Sequence, residues 1–299
     1  MTGRILVTGG NGRLGREILS LLGPRGVAGV RRCNSANAEV TLTISDPLDL
    51  DPARLNGFDA IINCAGRVTG TREELDRVNV SYPLALARHA AVAGVRRFIQ
   101  VSSFSVYGRT ERIDADSPLS PESDYGLSKL ASEQKLAALA TDTFLVSSLR
   151  LPFMFSAAEP ALLGRLVSGM LWLRVLPVPY GGVSRRSMIT YAGAADALIT
   201  LATMQDMPTG AIVAADPDPL ELTAVADALG ECLGRHIAVL PIPATLATLA
   251  RPLAPTMIDR LLGSNILDRS INWLAGGTRF PAAAEVHLYL DRIRQKGNG

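Results

Sequence analysis

Residues 5–15 read ILVTGGNGRLG: an apolar run, a glycine turn, then the start of a helix-like pattern. Gly9, Gly12 and Gly15 follow a Gly-x-x-Gly-x-x-Gly spacing. Glycine lets a strand turn tightly into a helix and lets backbone N–H groups approach a pyrophosphate at the helix N-terminus, where the dipole favours negative charge. This segment therefore restricts the chain to folds in which a strand feeds directly into a helix. It predicts that Gly9, Asn11, Gly12, Arg13, Leu14 and Gly15 form a dinucleotide-binding turn.

The rest of the N-terminal half keeps the same rhythm. Strand-like runs cover residues 27–30, 40–44, 60–63, 98–101 and 144–149, and helix-like patterns cover 13–22, 82–93 and 125–140. Strands alternating with helices argue for a parallel sheet covered on both faces. The strands are continuous apolar runs, as expected when neither face meets water. After about residue 150 prolines punctuate the chain, among them Pro152, Pro160, Pro177, Pro179, Pro217 and Pro219. A later strand and helix (187–191, then 192–204) and a strand near 211–214 are read as able to return to the sheet. The expected architecture is α/β: a Rossmann doubly wound parallel sheet formed by residues 1–150 and about 187–214. A smaller, mostly helical C-terminal lobe, about 151–186 plus 215–299, is left for substrate.

Composition narrows the partners. Thirty Lys and Arg stand against 28 Asp and Glu, for a formal charge of +2, without the clustered basic surface that nucleic acid requires. Two apolar stretches bear on membranes. Residues 161–179 carry Arg165 and Arg174, and residues 239–262 are interrupted by four prolines, Arg251, Asp259 and Arg260. A spanning helix wants roughly 20 apolar residues with few charges, so both stretches read as buried helices of the second lobe. Cys33, Cys64 and Cys232 have no metal-type spacing and read as reduced thiols. The first strand begins close to Met1, which leaves no room for a secretory leader, so the expected location is the cytoplasm. His89, His236 and His287 are scattered, and no metal is expected.

At the end of the second strand the sequence is VAGVRRC. An acidic residue at that point binds the ribose 2′-hydroxyl of NAD, whereas an arginine accommodates the 2′-phosphate of NADP. Arg31 and Arg32 occupy the place, so NADP is favoured over NAD. Further on, Tyr125 and Lys129 form a Tyr-x-x-x-Lys pair, YGLSK. Residues i and i+4 share a helix face. A phenol with an ordinary pKa of about 10 exchanges protons poorly near neutral pH, and a neighbouring ammonium favours its phenolate. Ser103, in VSSFSVYG, closes a strand, and ligands of such sheets bind outside the carboxyl ends of the strands.

The motifs TGGNGRLG, INCAG (62–66), RVNVSYPLALARHA (77–90), VSSFSVYG (101–108) and YGLSK share the order and spacing of the extended short-chain dehydrogenases/reductases, which the chain resembles from residue 4 to about 205. The resemblance implies that Ser103 hydrogen-bonds the reacting oxygen, that Tyr125 is the general acid/base and that Lys129 binds the nicotinamide ribose and tunes the tyrosine. It implies that Asn79 lies near the cofactor, that Cys64, Ala65, Gly66, Ser102 and Pro152 flank it, and that Asp46 meets the adenine. It also implies a homodimer through residues 82–93 and 125–140, and a nucleotide-linked sugar as substrate, met by Ser103, Phe104, Ser105 and Phe153.

Which reaction follows depends on the residues after Ser103. Dehydratases of this superfamily carry an Asp-Glu pair there, related decarboxylases a Glu in the second place, and epimerase-reductases use a Cys and a His. This chain has Phe104 and Ser105. What remains needs only a hydride and one proton: reduction of a 4-keto sugar, or the transient oxidation of a C4 epimerase. The stretch LPVPYGGVSRRSMITY (176–191) resembles a loop of bacterial polysaccharide-pathway members, and Arg185 or Arg186 there suits a substrate diphosphate, since a guanidinium fork matches phosphate oxygens. Ala192 and Gly193 stand where the family usually has an acidic or amide residue before the next helix. Because a reductase reloads NADP(H) at each turnover, the arginine pair favours a reductase. A dinucleotide-sensing regulator is the alternative of another class.

Overall fold

The structure is a computed structural model that describes residues 3–31, 40–158, 161–179, 185–234, 236–242 and 265–297. It divides into two compact units. The first comprises residues up to Arg109, Pro118–Pro152 and Tyr191–Ala214, and the second comprises Thr110–Ser117, Phe153–Thr190 and the chain from Ala215 onward.

The first unit is built on seven strands: β1 (Arg4–Thr8), β2 (Gly26–Val30), β3 (Thr41–Thr43), β4 (Phe58–Asn63), β5 (Arg97–Ser103), β6 (Leu145–Leu151) and β7 (Gly210–Val213). Their order in the sheet is β3-β2-β1-β4-β5-β6-β7, and every neighbouring pair is parallel. The order reverses between β1 and β4, which is the point at which such sheets open a crevice beyond the carboxyl ends of the strands. Helices cover both faces. The helix α1 (Arg13–Leu22) packs with the helix Tyr191–Thr203. Helix residues Leu86, Ala87, Ala90 and Leu136 join Leu6, Ile61, Phe98 and Val146 in one buried cluster. The doubly wound α/β architecture expected from the apolar runs is thus the architecture found.

A helical stretch precedes residue 82. It starts as α2 (Arg72–Asp76), passes through a π turn (Arg77–Ser81) and continues as α3 (Tyr82–Val92). A capping box starts it: Thr71 accepts from the Glu74 N–H, and the Glu74 carboxylate accepts from the Thr71 N–H. Pro83 follows the π turn and has no N–H with which to continue an α ladder. Next come α4 (Asp124–Ala137) and, in the second unit, α5 (Ala161–Leu173).

Among the described residues the second unit has α5, the helices Leu222–Leu233 and Ala282–Gly297, and four two-stranded sheets. Its core joins Phe155, Val167, Met170, Leu176, Val225 and Leu229. One expectation is corrected here. The strand Met188–Thr190 does not return to the main sheet but runs parallel to Phe153–Phe155 in a separate pair, while the Gly210–Val213 strand does close the sheet beside β6. Among the described residues no helix is long and apolar enough to cross a membrane.

Candidate active site

The glycine turn is built as its spacing demands. Gly9 has φ +71, in the region that disfavours a side chain, and a Cβ there would lie 2.8 Å from the Ala65 nitrogen. The Gly12 N–H donates to the Gly9 carbonyl at 2.8 Å and closes the turn. Gly12 also caps α1, and no side chain caps that helix start. Such a helix start, with the dipole behind it, suits an anion.

A cleft of about 760 Å³ opens above this turn, lined by Gly9, Asn11, Gly12, Arg31 and the Cys64–Gly66 loop after β4. That volume and the glycine turn fit a dinucleotide. Arg31 is exposed at the end of β2; Arg32 lies outside the described residues. Arg13, Leu14 and Gly15 form the first turn of α1 rather than the wall of the cleft, and Leu14 is buried.

Sequence reasoning missed part of the wall: Thr8, Asn63, Arg67, Ile44, Tyr82 and Leu86. Thr8 and Asn63 are polar residues closing apolar strands, and that contrast was the available signal. The Thr8 hydroxyl donates to the Asn63 side-chain oxygen Oδ1, and the Asn63 Nδ2 donates to Gln100 Oε1 at 2.6 Å. Together they tie the ends of β1, β4 and β5. Asp46 does not line the cleft, although the adjacent Pro47 does. Its carboxylate accepts from the Leu48 N–H, from Arg77 at 3.1 Å and from the Tyr82 hydroxyl at 3.4 Å. The Leu48 N–H first, then Arg77, hold it below the ordinary carboxylate range.

The expected catalytic residues gather next to this cleft. Ser103 ends β5, and its hydroxyl accepts from the Ser105 N–H at 3.1 Å and donates to the Ser105 hydroxyl at 3.0 Å. Phe104 is buried against the edge of Tyr107. Tyr125 lies in the first turn of α4, which Ser123 caps by accepting from the Gly126 N–H. Gly126 has no room for a side chain: a Cβ would lie 2.5 Å from the Ser105 carbonyl oxygen. That close approach presses the first turn of α4, with Tyr125, onto the loop after Ser103.

One helical turn along, Lys129 is buried and donates to the Val101 carbonyl at 2.9 Å, with its Nζ 5.7 Å from the centroid of the Tyr125 ring. Gly66 connects this cluster to the cleft, since a Cβ there would lie 3.3 Å from Lys129 Nζ and 3.4 Å from Asn79 Oδ1. Asn79 is fully buried in the π turn. Its Oδ1 accepts from the Arg67 N–H at 2.8 Å, and its Nδ2 donates to the Arg67 carbonyl at 2.8 Å and to the Ser128 hydroxyl at 2.9 Å. Asn79 therefore clamps the loop after β4 to α4. Burial pushes the Cys64 thiol up to about 12 against the opposing pull of the Lys129 charge, so it stays neutral at physiological pH.

Ser102 and Pro152 are buried, and the Ser102 hydroxyl donates to Glu133. Phe153, Arg185 and Arg186 belong to the second unit. Phe153 opens the strand beside Met188, and Arg185 and Arg186 pair with Glu221 and Leu220 in a short antiparallel ladder. Among the described residues no cluster of His, Cys, Asp and Glu could hold a metal ion.

Comparison with known proteins agrees with this geometry. The sequence matches the NAD dependent epimerase/dehydratase family over residues 5–213. It is 27% identical over 235 residues to the UDP-glucose 4-epimerase of Vibrio cholerae, covering 72% of this chain and 70% of that one. It is 31% identical over 157 residues to the dTDP-4-dehydrorhamnose reductase of Mycolicibacterium smegmatis, covering 49% of this chain and 45% of that protein. In fold it resembles the UDP-glucuronic acid 4-epimerase of Bacillus cereus in complex with NAD, with a TM-score of 0.73, 16% identity and coverage of 98% and 99% of the two chains. The chain is an enzyme of the NAD dependent epimerase/dehydratase family, within the short-chain dehydrogenases/reductases.

Proposed function

We propose that the enzyme reduces the 4-keto group of a nucleotide-linked hexose, with NADP(H) as its dinucleotide. The cofactor, when bound, supplies the hydride. Gly9, Gly12 and the start of α1 would hold its pyrophosphate, Arg31 its 2′-phosphate, and Lys129 the nicotinamide ribose. The Tyr125 hydroxyl gives the substrate oxygen the proton that completes the alcohol, Ser103 Oγ hydrogen-bonds that oxygen, and the Lys129 ammonium stabilises the phenolate left behind. Two copies would pair through residues 82–93 and 125–140, in the cytoplasm.

The observation that carries this reading is a centre with one acid/base: Tyr125 with Lys129 Nζ 5.7 Å from its ring, and Phe104 and Ser105 where an elimination would need carboxylates. The test is NADPH oxidation with UDP-, dTDP-, GDP- and CDP-linked 4-keto hexoses. Turnover with one of them, reduced about 10²- to 10⁴-fold in Tyr125→Phe while dinucleotide binding persists, is expected. The similarity to the V. cholerae protein supports a second reading, C4 epimerisation with retained NAD. Purification with bound NAD and interconversion of UDP-hexoses without added cofactor, alongside no NADPH oxidation, would replace the first reading with the second.

A further inference from the structure

Tyr125, Lys129 and Glu133 stand at i, i+4 and i+8 of α4, on one face. Lys129 and Glu133 are both only 5% exposed, so two opposite charges sit one turn apart where water screens them poorly. Left to themselves they would pair, and the ammonium would be drawn from Tyr125 toward the next turn. They do not. Lys129 donates to the Val101 carbonyl, and Glu133 is taken up elsewhere. Arg150, from β6, grips it with a fork: Nη2 donates to Oε2 at 2.6 Å, and Nε lies 3.1 Å from both oxygens. Ser102 donates to the remaining side of Oε1. Ser102 and Arg150 are lateral partners in the β5–β6 register, so one step of the sheet supplies both donors.

The other end of Arg150 is held as well. Its Nη1 donates to the Tyr107 hydroxyl at 2.9 Å, and its guanidinium carbon lies 5.0 Å from the centroid of that ring. Tyr107 belongs to the turn that begins just after Ser103. We propose that Arg150 is a positioning residue that sequesters the Glu133 carboxylate, keeping the Lys129 ammonium at the Val101 carbonyl, in reach of Tyr125 and the cofactor ribose. The other groups near this face do not substitute for it. Cys64 is neutral, Tyr107 is engaged with Arg150, and Arg72 pairs with Asp124 at the exposed start of the helix.

This inference rests on the proposed role of Lys129 toward the dinucleotide, and it makes a prediction that a purely structural role does not. Arg150→Met frees the Glu133 charge, which then captures Lys129. NADPH affinity, measured by calorimetry, should fall about ten- to a hundred-fold, the worth of one charge-assisted hydrogen bond. Adding Glu133→Gln removes the competitor, and affinity in the double variant should return to within about three-fold of the parent. Arg150→Lys keeps the neutralising charge and should stay within the same range although the Tyr107 bond is lost. A structural role alone makes the double variant as weak as Arg150→Met or weaker, and that result overturns the proposal. So does an Arg150→Met protein of parental affinity, in which Glu133 has taken a proton instead. If Arg150→Met is too unstable to purify, the double variant is compared with the parent: affinity within about three-fold is expected, and a loss of about ten-fold or more overturns the proposal. A crystal structure of Arg150→Met, or of Arg150→Ala in its place, gives a readout independent of ligand. Lys129 Nζ should lie within hydrogen-bond distance of Glu133, and an unchanged contact with Val101 overturns the idea. A parent enzyme without dinucleotide affinity would refute the functional reading and still leave this crystallographic test standing.

Discussion

Consider Gly15→Ala. In an ordinary helix this change gains about 1 kcal/mol, because alanine is the better helix former. Here the added methyl would lie 2.3 Å from the Gly9 carbonyl oxygen and 2.8 Å from the Gly10 Cα. A carbon meets a carbonyl oxygen comfortably at roughly 3.3 Å, so one side must retreat by about 1 Å. Both neighbours are backbone, which has no rotamer to escape into, so the cost falls toward the upper end of the roughly 1–3 kcal/mol usual for overpacking. The clash wins, and a net loss of about 1–2 kcal/mol, a drop in melting temperature of roughly 2–8 °C, is expected. The displaced oxygen also accepts the Gly12 N–H that closes the turn. Dinucleotide affinity should therefore fall at least about ten-fold, or roughly 1.4 kcal/mol. Gly169 in α5 is the control, since a Cβ there meets nothing within 4 Å. Gly169→Ala should raise stability by up to about 1 kcal/mol and leave binding alone. Thermal unfolding and titration calorimetry read both variants. If Gly15→Ala were stabilised as Gly169→Ala is, or bound the dinucleotide as the parent does, the close approach of α1 to the turn would be wrong.

Three further outcomes are expected. Arg31→Glu should weaken NADPH at least about ten-fold relative to NADH, because a carboxylate repels the 2′-phosphate that Arg31 is proposed to meet; an unchanged preference in competition binding would remove Arg31 from that role. Asp268 is held below the ordinary carboxylate range by Arg112 first, and by Ser270. A depressed carboxylate contributes stability that is present above its unfolded value, near pH 3.8, and is lost as pH falls through the folded value. Acid unfolding of Asp268→Asn should consequently be less pH-dependent below about pH 4 than that of the parent, and superimposable curves would count against the pair. Cys64, neutral at pH 8, should react slowly with iodoacetamide in the folded enzyme and readily after unfolding, as mapped by mass spectrometry; rapid labelling of the native state would contradict its raised thiol pKa.

The strands were legible because both faces of the sheet are buried, so β2, β4 and β5 announce themselves as apolar runs. Their ends were less so. The apolar runs stop at 101 and 149, yet the ladder runs on through Ser102 and Arg150. Ser102 and Arg150 are admitted to the core by Glu133, a partner supplied from α4, and single-segment patterns carry no trace of such a bond. Residues 72–81 lay outside the helix-like pattern read from residue 82, although Thr71 and Glu74 spell a capping box. In the site, the glycine spacing and the Tyr125–Lys129 pair were readable because local geometry fixes them. The clamp of Asn79 on the Arg67 backbone, the engagement of Asp46 with Arg77 and the apolar wall from Ile44, Tyr82 and Leu86 were not, since each joins residues brought together only by the folded sheet.

The account turns on where a dinucleotide sits relative to Tyr125, and a crystal structure of the enzyme with NADP decides it. The pyrophosphate should lie against the backbone of Gly9 and Gly12, with Lys129 on the nicotinamide ribose and the Tyr125 hydroxyl facing the nicotinamide ring. A dinucleotide bound anywhere other than over the glycine turn, or a Tyr125 hydroxyl directed away from the nicotinamide, would contradict it.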